Sequence, residues 1–186
     1  DRATYDQAMG VLGAPIEALD AFRPWLASLT MTVIFAQKQG YSPESGVDTQ
    51  VEKAGRLAGK QFAFFESPKE QIDFFINLPP AVEQRLLTAT AKDLVERPEQ
   101  LGALIDAWKK GDTKALDDLM NSAMSTVPEV DKLLLQDRNT RWVERIQKEF
   151  MADAKDYFIV VGAGHLVGGD SVIAMLRAKG LKIEGP

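Results

Sequence analysis

The stretch 157–170 constrains the fold more than any other part of the chain. It begins with the apolar run Tyr-Phe-Ile-Val-Val and continues with the glycine-rich loop Gly-Ala-Gly-His-Leu-Val-Gly-Gly. An apolar run without alternating polar residues predicts a strand that is covered on both faces, as in a parallel sheet. Asp170 or Ser171 can then cap a helix that runs to about Lys179, and residues 181–184 follow as a last predicted strand. The stretch therefore predicts a strand, a loop, a helix and a strand.

A second apolar run, residues 60–65, predicts another buried strand, since it also lacks alternation. Glu66 follows this run, and Ser67 and Glu70 then have the spacing of a capping box. Most of the remaining chain has helical periodicity. The predicted fold is α/β: one helix-rich domain over residues 1–186 around a small, mainly parallel sheet.

Turn signals and apolar periodicity predict the helices outside these strands. Pro24 stands where a first helical turn begins, and Asp48 and Asp112 are predicted N-caps. The helix from about Arg138 has its apolar residues on one face. The predicted helices cover residues 49–57, 81–95, 98–110, 112–124, 128–135 and 138–150.

Composition excludes several classes of function. The net charge is −5 and no basic stripe is visible, which argues against a nucleic-acid-binding surface. The apolar runs, such as those at residues 33–36 and 157–161, are far too short to span a bilayer. The absence of cysteine excludes disulfides, thiolate metal sites and cysteine nucleophiles, and it leaves the redox compartment open.

His165 is the only histidine, and it lies in the glycine-rich loop after a predicted strand. A lone histidine can simply pack or make one hydrogen bond. Its place in this loop favours a functional role, because open α/β sheets bind ligands at the carboxyl ends of their strands. If the two predicted strands run parallel, Glu66 emerges at the same edge. A carboxylate and an imidazole there could bind a metal ion or act as acid and base.

Blander interpretations of the other charged residues remain open. Glu66 could merely interact favourably with the dipole of the helix that follows it. Arg138 could pair with a carboxylate at the sheet edge or lie on the surface. A catalytic zinc site usually needs three protein ligands, so with one histidine it would require carboxylates or residues outside this chain.

The glycine loop also invites a dinucleotide-binding interpretation, which the residues do not favour. Gly162, Gly164 and Gly168 partly match the fingerprint, and Glu184 stands near the position of a ribose-binding carboxylate. Val167, however, stands where the tight fingerprint has glycine. A phosphate loop with Gly-Lys-Ser/Thr and a Gly-x-Ser-x-Gly nucleophile elbow are both absent from the sequence.

An ordered set of short segments carries a resemblance to known proteins. The segments are Arg-Pro-Trp-Leu-Ala-Ser-Leu at 23–29, Gly-Val-Asp-Thr at 46–49, Gly-Lys at 59–60, Phe-Glu-Ser at 65–67, Glu-Gln at 70–71, Ala-Trp at 107–108, Gly-Asp at 111–112, Arg-Asn at 138–139 with Trp142 and Ile146, and Val-Val-Gly-Ala-Gly-His-Leu at 160–166 with Gly168. In this set and order the chain resembles the TraB/GumN family, which includes the Tiki proteins and the pheromone-shutdown proteins.

The resemblance implies a metal-dependent hydrolase. Because the Tiki members are metalloproteases, the more specific activity that it implies is that of a peptidase. The implied cofactor is a divalent ion, Mn, Co or Zn, and the substrate is a peptide or a small molecule. The family has two Gly-x-x-His motifs, of which residues 162–165 match the second. The first would lie before Asp1, so we expect this chain to be the carboxyl-terminal part of the family domain. Bacterial members imply an extracytoplasmic location.

The resemblance also implies roles for individual residues. His165 and Glu66 would be metal ligands or the acid–base pair, and Arg138 would stabilise developing negative charge or orient Glu66. Gly162 and Gly164 would let metal or substrate approach the backbone. The alternative is a non-catalytic protein on the same scaffold, which binds envelope or polysaccharide components. We also expect self-association, because a shortened α/β domain can leave a sheet edge or an apolar seam uncovered.

Overall fold

The computed structural model describes residues 2–152 and 154–185, which divide into two units between Leu101 and Gly102. The prediction that residues 1–186 form one family domain stays a prediction. No helix among the described residues combines the length and apolar character that crossing a membrane requires.

Helices account for nearly all the regular structure of both units. The first unit contains α1 (Arg2–Leu12), α2 (Pro24–Lys38), a 3₁₀ turn (Pro43–Ser45), α3 (Val47–Leu57), α4 (Pro68–Ile76) and α5 (Pro80–Glu96). The helix α6 (Gln100–Lys110) follows. The second unit contains α7 (Thr113–Met124), α8 (Pro128–Asp131), a π turn (Lys132–Gln136), α9 (Asp137–Arg145), a second π turn (Ile146–Phe150), a 3₁₀ turn (Ala163–His165) and α10 (Val172–Ala178).

The prediction of an α/β fold around a parallel sheet is wrong. No β-strand occurs in residues 2–152 or 154–185, and the predicted strands at 60–65, 157–161 and 181–184 are all irregular. They are not covered on both faces either, since Phe64 is 63% exposed and Phe158 is 84% exposed.

The physical reason is that a strand depends on a neighbour. An apolar run supplies β propensity, but a strand forms only when its backbone groups bond to an adjacent strand. These three segments have suitable side chains and no ladder among the described residues. The apolar pattern was therefore a poor guide to both pairing and burial.

The core of the first unit is formed by α1, α2 and α5, which contact one another. Met9 of α1 and Met31 of α2 are fully buried, and Ala91 of α5 is 1% exposed. A hydrogen bond of 2.6 Å joins the hydroxyl groups of Ser28 and Thr90 across α2 and α5. The buried hydroxyl of Ser28 thus has a partner, as burial in an apolar core requires.

In the second unit, residues 128–150 form one helical stretch that contains both π turns. Its segment α9 packs against α10. The buried residues on these two helices include Trp142, Val143 and Val172. The apolar face predicted for the helix after Arg138 is therefore confirmed, and it positions α9 beside the loop that precedes α10.

The helix starts follow local signals in most cases. Ser67 and Glu70 form the predicted capping box, and the side chain of Asp112 caps α7 by accepting from the backbone of Ala115. The predicted cap at Asp48 is wrong, because α3 begins at Val47 and its N-cap is the preceding glycine. Asp48 lies in the first turn instead, where its charge still suits the helix dipole.

We expect Ser67→Ala to lower the free energy of unfolding by about 1 kcal/mol. The change removes the oxygen that accepts from the backbone N–H of Glu70 at 3.2 Å, so a terminal donor of α4 loses its partner. Urea unfolding of the full chain measures the effect. Ser45→Ala is the matched control, since Ser45 is exposed and does not cap a helix. Equal losses for the two variants would contradict the capping role.

Candidate functional site

His165 lies in the second unit, at the end of the 3₁₀ turn Ala163–His165. The turn closes when the backbone N–H of His165 donates to the carbonyl oxygen of Gly162 at 2.9 Å. Although it belongs to a loop, the residue is only 6% exposed. Burying an ionisable ring is costly unless the surroundings supply hydrogen bonds, so the neighbours of the ring are informative.

Asn139 of α9 holds the His165 ring. The Asn139 Oδ1 atom lies 2.6 Å from Nδ1 of His165, and Asn139 Nδ2 donates to the carbonyl oxygen of Asp170 at 2.7 Å. Asn139 is 1% exposed. A single buried amide therefore bonds both to the histidine side chain and to the backbone five positions further along the same loop.

The indole ring of Trp142 packs against the imidazole ring of His165. Its ring centroid lies 4.3 Å from that of His165, with the planes tilted by 41°. The guanidinium carbon of Arg138 lies 4.8 Å from the Trp142 centroid, and Arg138 donates to the carbonyl oxygen of Leu134 at 3.0 Å. The structure thus brings Arg138 and His165 to the same tryptophan, one through a cation–π contact and the other through a ring contact.

The loop that carries His165 is tied down at its far end by Ser171. The Ser171 hydroxyl donates to the carbonyl oxygen of Gly168 at 2.8 Å and accepts from the backbone N–H of Ala174 at 3.1 Å. The predicted N-cap of this helix is therefore confirmed for Ser171. Bonds to Asn139 and Ser171 fix a segment that has little regular structure of its own.

The two glycines of the Gly-x-x-His motif differ in their surroundings. A Cβ atom on Gly164 would lie 2.2 Å from Cε of Met120, whereas a Cβ on Gly162 would meet only Cδ2 of His165, at 3.9 Å. Gly164 therefore lets the loop pack closely against α7, which is a structural reason for this glycine. The predicted roles of Gly162 and Gly164 in binding metal or substrate stay predictions.

Glu66 lies in the first unit, next to the N-cap Ser67 of α4, and it is partly buried. A carboxylate beside a helix N-terminus is favoured by the helix dipole, which agrees with the alternative interpretation of Glu66 as a residue that interacts with the dipole of the following helix. Glu66 and His165 belong to different units, and their predicted pairing stays a prediction.

Among the residues that the structure describes, the surroundings of His165 offer one imidazole as a metal donor and no complete metal site. Within either unit, the described residues include no group of three or more histidine, cysteine, aspartate or glutamate side chains that could hold a metal ion. A catalytic zinc ion usually has three protein ligands. The described residues supply one buried imidazole, that of His165, which is bonded to the side-chain amide of Asn139 and contacts the indole of Trp142.

Asn139 had no role predicted from the sequence. The signal was present, because Asn139 falls in the same helical row as Trp142, Val143 and Ile146, at i, i+3, i+4 and i+7. A polar residue on the buried face of a helix needs a hydrogen-bonding partner. That partner could have been sought among the loop residues near His165.

Comparison with known proteins gives one result. The family model described as the TraB/PrgY/gumN family matches residues 1–185. A comparison with curated proteins found no match, and neither did one with solved structures. Since the matched range covers nearly the whole chain, this chain belongs to the TraB/PrgY/gumN family.

Proposed function

We propose that this chain is part of a metal-dependent hydrolase in which His165 supplies one metal ligand or one acid–base group. One observation carries the proposal: the buried His165 ring is held at Nδ1 by a buried amide. Metal-binding histidines are usually held in this way, through the ring nitrogen that does not face the metal. Membership of the TraB/PrgY/gumN family supports the same class of function.

The position of the ring also supports a functional role. Asn139 occupies Nδ1, so ligation or proton transfer by this side chain would use Nε2. Trp142 restricts the ring, which would keep Nε2 in one direction. A pre-oriented nitrogen loses less freedom when it binds a metal ion or accepts a proton.

The other groups of the proposed site keep their predicted roles. Glu66 would be the second ligand or the base, and carboxylate oxygen is a suitable donor for Mn, Co or Zn. Arg138 would stabilise negative charge that develops on the substrate, a role in which fixed cations are effective. We propose a peptide or another small hydrolysable molecule as the substrate, and an extracytoplasmic location.

Metal titration of the natural full-length polypeptide tests the proposal. We expect Mn²⁺, Co²⁺ or Zn²⁺ to raise the melting temperature, with a stabilisation of about 2.7 kcal/mol when the free ion reaches 100 times its Kd. His165→Ala should abolish the shift and Glu66→Gln should reduce it, because each removes a proposed donor.

Asp118→Asn is the matched control for this titration. Asp118 is an exposed carboxylate of the second unit that pairs with Lys114, so its loss should leave the metal response unchanged. The proposal fails if none of the three ions shifts the melting temperature. It also fails if His165→Ala and Asp118→Asn respond to the ions as the unchanged protein does.

A further inference from the structure

The two hydrogen bonds of the Asn139 side chain fix the direction in which its amide faces. Its Nδ2 atom lies 2.7 Å from the carbonyl oxygen of Asp170. A carbonyl oxygen can only accept, so the amide must present its NH₂ group there. The opposite orientation would bring two oxygens together in a place where Asn139 is only 1% exposed.

The direction of the amide in turn fixes the hydrogen on His165. With Nδ2 directed to Asp170, Oδ1 faces Nδ1 of His165 at 2.6 Å. An amide oxygen has no hydrogen to give, so Nδ1 must donate. In the neutral ring the hydrogen therefore resides on Nδ1 and the lone pair on Nε2.

We infer that Asn139 is a positioning residue that holds His165 as the Nδ1–H tautomer and directs its lone pair through Nε2. The assignment of the tautomer follows from the hydrogen bonds, and its use in hydrolysis rests on the proposed function. Asn139 acts on the ring and on the Asp170 carbonyl together, so it clamps the loop and selects the tautomer in one arrangement.

An amide is suited to this position in a way that a carboxylate is not. Asn139 donates on one side and accepts on the other. An aspartate would still accept from Nδ1 of His165 but would place an oxygen against the Asp170 carbonyl. Leucine has a similar shape and makes neither bond. Aspartate at position 139 should therefore keep the selection of the tautomer and lose the bond that clamps the loop, whereas leucine should lose both.

Nitrogen NMR of the ¹⁵N-labelled full chain tests the inference, and the single histidine gives one set of imidazole signals. In alkaline buffer, where a histidine ring is ordinarily neutral, we expect the ¹⁵N chemical shift of Nδ1 to be that of a protonated nitrogen. The chemical shift of Nε2 should be that of an unprotonated nitrogen. Asn139→Leu should turn this nearly pure tautomer into a mixture in which the Nε2–H form predominates, as it does for histidine in water. Asn139→Asp should keep the Nδ1–H form.

Asn121→Leu is the matched control for these spectra. Asn121 also lies in the second unit and donates to a carboxylate of its own helix, so its loss should not change the imidazole signals. The inference is overturned if the neutral His165 ring of the wild-type protein carries its hydrogen on Nε2, and this result does not require any Asn139 variant to fold. A folded Asn139→Leu protein that keeps the Nδ1–H form overturns it as well.

The same variants separate this inference from the proposed function. If His165 is a ligand through Nε2, Asn139→Leu should weaken metal binding by about 10- to 100-fold, the usual effect of losing such a partner. If no ion binds, the proposed hydrolase fails, while the tautomer remains a result of its own.

Discussion

Replacing Arg23 with methionine is expected to lower the free energy of unfolding by about 3 kcal/mol. The Arg23 guanidinium forms a two-pronged ion pair with Glu83: Nη2 contacts Oε1, and Nε donates to Oε2 at 3.4 Å. Nη2 also donates to the carbonyl oxygen of Ile76 at 3.0 Å. Methionine keeps the apolar stem and removes all of these contacts.

The size of the effect follows from the difference in burial between the partners. The side chain of Glu83 is 3% exposed, whereas that of Arg23 is 48% exposed. Losing the cation leaves a buried carboxylate without its charged partner, which typically costs about 3 to 5 kcal/mol. We expect the lower end of that range, because water can reach the half-exposed side from which Arg23 is removed.

Urea unfolding of three proteins would measure this prediction. Arg23→Met should show the full loss, and the double variant Arg23→Met/Glu83→Leu should recover most of it, because no charge is then buried. Arg56→Met is the matched control: its pair with Glu52 is exposed on one helix and should contribute no more than about 1 kcal/mol. The prediction fails if Arg23→Met costs no more than Arg56→Met.

The Arg23 pair shows why a family motif can be structural. Arg23 opens the segment 23–29, which helped to indicate the family from sequence. In the structure it joins the start of α2 to Glu83 in the first turn of α5, within the first unit. Sequence spacing gave no hint of this pairing, since sixty positions separate the two residues.

Helices were largely predictable because their signals are local. Prolines at the starts of α2, α4, α5 and α8, the capping box at Ser67 and the cap at Asp112 all act within a few residues. The break predicted between residues 135 and 138 is absent, and the chain passes through a π turn there instead. Polar residues suggested a boundary, yet neither proline nor glycine interrupts the backbone at 129–150.

Predicting the strands and the site required knowledge of contacts between residues far apart in the sequence, which local patterns do not give. The apolar runs at 60–65 and 157–161 could not indicate whether a neighbouring strand exists. The glycine loop did single out His165, because a histidine between a glycine-rich turn and a helix is a local pattern. The partnership with Asn139 needed the fold, since 26 positions separate the two residues.

Gly168→Ala is expected to destabilise the second unit by about 3 kcal/mol. Gly168 has φ of +83°, a conformation that costs residues other than glycine about 1 to 2 kcal/mol. A Cβ there would also lie 2.4 Å from Oδ1 of Asp117, and such overpacking adds about 1 to 3 kcal/mol. Either the Asp117 carboxylate or the loop that holds His165 would have to move.

Gly180→Ala separates these two causes. Gly180 follows α10 with φ of +82°, and a Cβ there would meet nothing within 4 Å. We therefore expect this control to lose only the backbone part, about 1 to 2 kcal/mol. In urea unfolding, Asp117→Ala added to Gly168→Ala should bring the loss close to that of Gly180→Ala. Equal losses for the two single variants would mean that Asp117 does not restrict position 168, and that loop packing leaves room for a side chain there.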